Sequence, residues 1–142
     1  MIPQKLQEIV EDFEMMEGRE KVEALVDYSQ RLQGLPSIPG ADPPDMEFVE
    51  ECMTPVYVKS EITDGGMHFY FNVPQESPTV RGLAAILGDG LDGATPEQVL
   101  SVPNDFYLPM ELHRVLTMQR MNGFAAILAH MKRLAAEALA AH

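Results

Sequence analysis

One side chain in this sequence of 142 residues can act as a soft nucleophile: Cys52, its single cysteine. A thiolate attacks sulfur–sulfur bonds and activated carbonyls and binds metals, whereas a protonated thiol does little of this. Cys52 follows a short strand candidate, Met46 to Glu51, and precedes Met53-Thr54-Pro55, so it belongs on a turn between two strands. Turns held by a sheet are common places to display a reactive group. The competing reading is structural, because unpaired cysteine is among the most frequently buried residue types. The neighbours Asp45, Glu47, Glu50 and Glu51 are all acidic, and negative charge disfavours the thiolate. Activation must then come from an Arg or Lys distant in sequence, or from a partner protein. With one cysteine, no intramolecular disulfide forms.

Other chemistries find less support. The histidines, His68, His113, His130 and His142, show neither close pairing nor a nearby cysteine. A zinc site takes three or four ligands at suitable spacing, and an iron–sulfur cluster bound by one chain normally takes several cysteines. No metal site is therefore expected. His68 falls on the polar side of its strand, and His113 and His130 are expected on helix surfaces. A Cys–His hydrolase needs a base within hydrogen-bond reach of the thiol. His113 is one candidate, but no cysteine-protease signature surrounds Cys52. Gly88-Asp89-Gly90 lacks the following Lys-Ser/Thr of a phosphate loop and reads as a helix end.

The elements that must position Cys52 follow from periodicity. Leu6, Ile9, Val10 and Phe13 form one stripe of a first helix. After a break at Gly18, a second helix carries Val22, Leu25, Val26 and Leu32 on one face, with Gly34 closing it. Leu35 to Asp45, with four prolines and a glycine, is a loop. Val56, Val58, Ser60 and Ile62 alternate with Tyr57, Lys59 and Glu61, and Met67, Phe69, Phe71 and Val73 alternate with His68, Tyr70 and Asn72. The intervening Thr63-Asp64-Gly65-Gly66 tolerates positive φ and makes this pair a hairpin. Helices follow. Ser77-Pro78 caps one that carries Val80, Leu83, Ala84 and Leu87 and ends at Gly88. Thr95 to Gln98 is a capping box. A helix disturbed by Pro109 spans Asp105 to Val115. The last runs from Thr117 toward Ala141, burying Met121, Phe124, Leu128 and Met131, with Leu134 one turn further. Gly123 costs that helix roughly 1 kcal/mol against Ala, which suggests close approach by another segment; Gly82 poses the same question in its own helix. The class is α+β, a small antiparallel sheet of about three strands with helices on one face, in a single domain spanning 1–142.

The net charge of −12, from 22 acidic and 10 basic residues, repels phosphate backbones and anionic lipid, so nucleic acid and membrane are not expected partners. A basic patch on a protein partner would be attracted. Met1 to Val10 lacks the character of a secretory signal, and no run of about 18 apolar residues exists. The expectation is a cytoplasmic protein, monomeric by default, with a dimer possible.

Taken together, these residues resemble the SufE family of sulfur acceptors for cysteine desulfurases. The likeness covers nearly the whole chain. It rests on two helices and a Pro-rich loop leading to Cys52-Met53-Thr54-Pro55-Val56-Tyr57. It continues through Glu76 and Val80-Arg81-Gly82-Leu83, and through Arg120-Met121-Asn122-Gly123 at the opening of the last helix. The chain departs from the family pattern at Glu51, where Gly is usual. It departs again at Thr54 and Tyr57, where Ser and Trp are frequent. The resemblance implies a sheet-and-helix fold shared with cluster scaffolds of the IscU type, and a cysteine loop able to hide its thiol or turn it outward. It also implies that Arg120 lies near the sheet and helps to position that loop. The function it implies is acceptance of persulfide sulfur on Cys52 from a pyridoxal-phosphate-dependent desulfurase of the SufS or CsdA kind, and delivery to an iron–sulfur scaffold. That makes the chain a carrier and desulfurase activator more than a stand-alone enzyme, with no cofactor of its own. Glu51, Glu76, Arg81, Arg120 and Asn122 are the expected binding residues around Cys52. The acidic setting of Cys52 motivates an alternative, a module that docks on a desulfurase and modulates it without carrying sulfur.

Overall fold

The turn Thr63-Asp64-Gly65-Gly66 sets the register of the sheet. Asp64 and Gly65 both take left-handed backbone conformations, φ 53° and 80°, which reverse the chain with the twist that antiparallel strands need. Three strands result: β1 (Glu47–Phe48), β2 (Tyr57–Thr63) and β3 (Gly66–Asn72), ordered β1-β2-β3 and antiparallel throughout. Tyr57 pairs with Asn72 and Thr63 with Gly66. The computed structural model describes residues 2–32, 46–50, 52 and 54–141. The Pro-rich stretch Leu35 to Asp45, the expected helix stop at Gly34, and Glu51 lie outside the described residues.

One sheet face is covered by helices. Val58 of β2 and Met67, Phe69 and Phe71 of β3 point into the core, as the period of two requires. Against them lie α3 (Pro78–Gly90) and α5 (Met118–Ala140). A further layer is formed by α1 (Gln4–Glu14) and α2 (Gly18–Gln30) on α3, and by the short α4 (Pro96–Leu100) on α5. The α+β architecture with helices on one face is the expected one. No helix among the described residues is long and apolar enough to cross a membrane.

Most stripes fall where periodicity puts them. Leu6, Ile9, Val10 and Phe13 are the buried residues of α1, and Met121, Phe124, Leu128 and Met131 are buried in α5. The second helix differs. Val22 and Val26 are exposed, and Lys21, Leu25 and Ser29 face inward. Two constraints rotate it. The Lys21 ammonium donates to the carbonyl of Phe13 at 2.7 Å and to that of Met110, supplying donors to carbonyls at the end of α1 and of a 3₁₀ turn. At Gly82, α3 approaches so closely that a Cβ there would stand 2.2 Å from the Leu25 carbonyl oxygen. The glycine in α3 thus marks a backbone-to-backbone crossing with α2.

Other differences are local. The helix expected over Asp105 to Val115 is two 3₁₀ turns, Leu108–Met110 and Leu112–Arg114, separated by Glu111 at φ 51°. The strand expected over Met46 to Glu51 pairs only at Glu47 and Phe48. Gly88 does not end α3, which runs to Gly90. His68 is not simply solvated: its Nδ1 lies 2.6 Å from Asp92 Oδ1. Ser77 precedes α3 as expected, but its hydroxyl does not cap the helix and instead meets Thr54 Oγ1 at 3.4 Å.

The rotated α2 face gives a direct test by urea unfolding. Leu25→Ala is expected to cost about 2–5 kcal/mol and Gly82→Ala about 1–3 kcal/mol from overpacking. Val22→Gln is expected to stay within about 0.5 kcal/mol. A large loss at Val22 would contradict the crossing described here.

Candidate functional site

The Cys52 loop leaves β1 and enters β2. Val49 N–H donates to Val56 O at 2.8 Å, which clasps the loop at its base, and Cys52 N–H donates to Val49 O at 3.3 Å. Both valines are fully buried. The thiol is half-buried and directed at α5, where its Sγ lies 3.6 Å from the Gly123 carbonyl oxygen. That approach explains Gly123: a Cβ at this position would stand 3.2 Å from the sulfur. The segment that comes close to the last helix is therefore the cysteine loop itself.

Beside the thiol is a cavity of about 440 Å³. Its floor is apolar: Val80 and Leu83 of α3, and Phe124 and Ile127 of α5. Phe124 is backed by Phe106 and Tyr107, with ring centres 5.6 and 5.5 Å away, so the floor is braced by a cluster of aromatic rings. Its rim is polar: Thr54 beside the thiol, and Thr117, Gln119 and Arg120 at the start of α5. Thr117 caps that helix by accepting from the Arg120 N–H at 3.3 Å. The cap fixes the first turn, from which the Arg120 side chain reaches the rim. A thiol, a hydroxyl pair and one guanidinium thus surround an apolar hollow. Such a site can shelter a polarisable group attached to the sulfur, and it carries a cationic side chain on its rim.

The expected site residues separate into two groups. Cys52 and Arg120, 68 residues apart in sequence, line one cavity, and Gly123 joins them. Glu76, Arg81 and Asn122 do not line it. Glu76 is exposed on the turn before α3, and Asn122 is exposed on α5. Arg81 is half-buried and donates to Val73 O at 2.6 Å, tying the first turn of α3 to the end of β3. Glu51 lies outside the described residues. Two contributions went unseen in the sequence. One is the apolar floor from α3. The other is His130, expected on a helix surface, whose side chain is only 12% exposed and is hydrogen-bonded to Glu47 of β1. The available signal was spacing: Arg120, Gly123, Ile127 and His130 recur at steps of three, four and three, which is one stripe of a helix.

A second cavity, of about 280 Å³, lies away from the thiol between Lys5, Phe69, Phe71 and Asp89. Burial pushes the Asp89 carboxyl above its ordinary range, partly opposed by Arg31. Among the described residues, no group of three or more His, Cys, Asp or Glu is placed to hold a metal ion.

The SufE family, described as an Fe-S metabolism associated domain, matches residues 7–135. The chain belongs to the SufE family. An uncharacterised SufE-like protein of Mycobacterium tuberculosis is 36% identical over 138 residues, which is 96% of this chain and 95% of that one. The cysteine desulfuration protein SufE of Plasmodium vivax is 34% identical over 83 residues, 57% of this chain and 34% of that one. A hypothetical protein of Thermus thermophilus, known from a solution structure, has a TM-score of 0.84 and 34% identity, covering 99% of each chain. Membership of the SufE family places this chain in iron–sulfur metabolism.

Gly123→Ala tests the thiol contact in this SufE-family chain. Helix propensity favours the alanine by about 1 kcal/mol, while the methyl crowds the Cys52 sulfur. Stability is expected to change little, and Cys52 is expected to react faster with an aromatic disulfide reagent as it is pushed outward. A gain of the full propensity term with an unchanged thiol rate would show that the contact is slack.

Proposed function

We propose that this chain accepts sulfur on Cys52 from the persulfide of a pyridoxal-phosphate-dependent cysteine desulfurase and passes it to an iron–sulfur assembly scaffold. The observation that carries the reading is the cysteine of a SufE-family chain standing at an apolar cavity with Arg120 on its rim. The name of the Plasmodium vivax relative, a cysteine desulfuration protein, agrees with a desulfurase partner. In the proposed step, the Cys52 thiolate attacks the outer sulfur of the desulfurase persulfide. The old sulfur–sulfur bond breaks, the desulfurase cysteine leaves as its thiolate, and Cys52 carries the new persulfide. No net oxidation occurs, because one sulfur–sulfur bond replaces another.

The chain's own groups have defined parts in this scheme. Arg120 offers positive charge to the attacking thiolate, offsetting the acidic surroundings of Cys52 that include the exposed Glu50. The floor of Val80, Leu83, Phe124 and Ile127 shields the terminal sulfur from water and from stray thiols. The reading takes residues 1–142 as one SufE-like domain, acting as a monomer in the cytoplasm.

Intact-protein mass spectrometry, after incubation with a desulfurase and cysteine, tests this directly. A gain of one sulfur that reductant removes, and that Cys52→Ser abolishes, is the expected result. Arg120→Ala is expected to slow the gain by about tenfold or more, the effect of removing one charge-assisted contact from a reacting thiolate, with the fold intact. Glu51→Gly is expected to speed it. Desulfurase stimulation that persists in Cys52→Ser, with no sulfur gained by the parent, would instead establish a docking module that carries nothing.

A further inference from the structure

We infer that Glu47 and His130 are positioning residues that hold the Cys52 thiol in its seat against α5. Strand β1 is only two residues long, too short to fix the loop that follows by ladder bonds alone. Glu47 pairs across the sheet with Val58, so its side chain lies on the helix-covered face, beside a fully buried valine. A carboxylate there is costly unless paired. It is paired: His130 Nδ1 is hydrogen-bonded to Glu47 Oε2, and Arg133 Nε stands 3.8 Å from Oε1. The side chains of Glu47 and His130 are 19% and 12% exposed.

Glu47 precedes Cys52 by five residues, and His130 follows Gly123 by seven. Seven residues are two turns of helix, about 10 Å along one face. Helix α5 therefore touches the β1 segment at two places on a single stripe, at Glu47 through His130 and at Cys52 through Gly123. A largely buried hydrogen-bonded polar pair adds little stability compared with a packed apolar pair, but it favours the arrangement in which both partners are satisfied. Here it fixes how β1 sits along α5, and with it where the sulfur rests. Loss of either partner removes the contact that ties β1 to this turn of α5, which favours lifting β1 and the thiol away from the helix.

This inference deepens the acceptor reading of Cys52 and rests on it for its consequence in sulfur transfer, but the seating is measurable without a desulfurase. The experiment is the rate of Cys52 modification by an aromatic disulfide reagent in Glu47→Ala, His130→Ala and the double variant. Each single change is expected to raise the rate by about threefold or more through local opening, and the double variant is expected to match the singles, because the pair acts as a unit. Ile9→Val, a core truncation on α1, serves as a control for general loosening and is expected to leave the rate at the parent value. Should Glu47→Ala fail to fold, Glu47→Gln, which keeps the shape and loses the charge, takes its place with the same expected direction. Unchanged rates in folded variants would overturn the inference, as would an equal rise in Ile9→Val or an additive double variant. A parent that accepts no sulfur would sink the acceptor reading and leave the seating result standing.

Discussion

The close approach of the Cys52 sulfur to the backbone of α5 is the contact around which the site is arranged. It leaves little room for a side chain at residue 123, and it needs α5 to begin at a fixed place and the cysteine loop to be clasped at its base. Each requirement is met by a different part of the chain: Gly123, the Thr117 cap, and the Val49–Val56 hydrogen bond. The same logic operates at the back of the molecule, where Gly82 lets α3 meet α2 at the Leu25 carbonyl. In both cases a glycine placed inside a helix gives up intrinsic stability, and an intimate packing contact results.

The seat also reconciles two opposed properties of the thiol. Its sequence neighbours are acidic, yet the cavity it adjoins is apolar with a cation on the rim. Charge close in sequence is not charge close in space, because alternate residues of extended chain point to opposite faces. Glu47 illustrates this. It belongs to the acidic run before Cys52, but its carboxylate is turned under the sheet and matched by His130 and Arg133.

Much of the architecture was legible in the sequence. The hairpin was readable because Asp64 and Gly65 supply positive φ between two strictly alternating runs, and α1 and α5 because their apolar stripes keep helical spacing without interruption. The site was readable in part. Cys52, Arg120 and Gly123 stand in stretches that resemble those of a known family, and the odd glycine pointed to close approach. The second helix was misread because hydropathy assigns lysine to solvent, and Lys21 is drawn inward by two carbonyls on other elements. His130 was placed outside for the same reason, as a polar residue whose partner is 83 residues away. A polar group satisfied by a distant partner leaves no trace in the hydropathy pattern. Ser77 shows the converse: its position was right, but its hydroxyl was taken up by Thr54 from the cysteine loop.

The clasp between Val49 and Val56 limits how far the sulfur can travel. Cys52 is only the third residue after Val49, and extended chain spans at most about 3.5 Å per residue. While that hydrogen bond holds, the thiol sweeps a radius of roughly 10 Å from its anchor. This is a short tether, unlike the long flexible arms on which many carriers swing their cargo between distant centres. A reaction partner must therefore bring its own reactive atom down to the surface around α5, so the shape of that surface, more than the length of the loop, governs which partners can reach the sulfur.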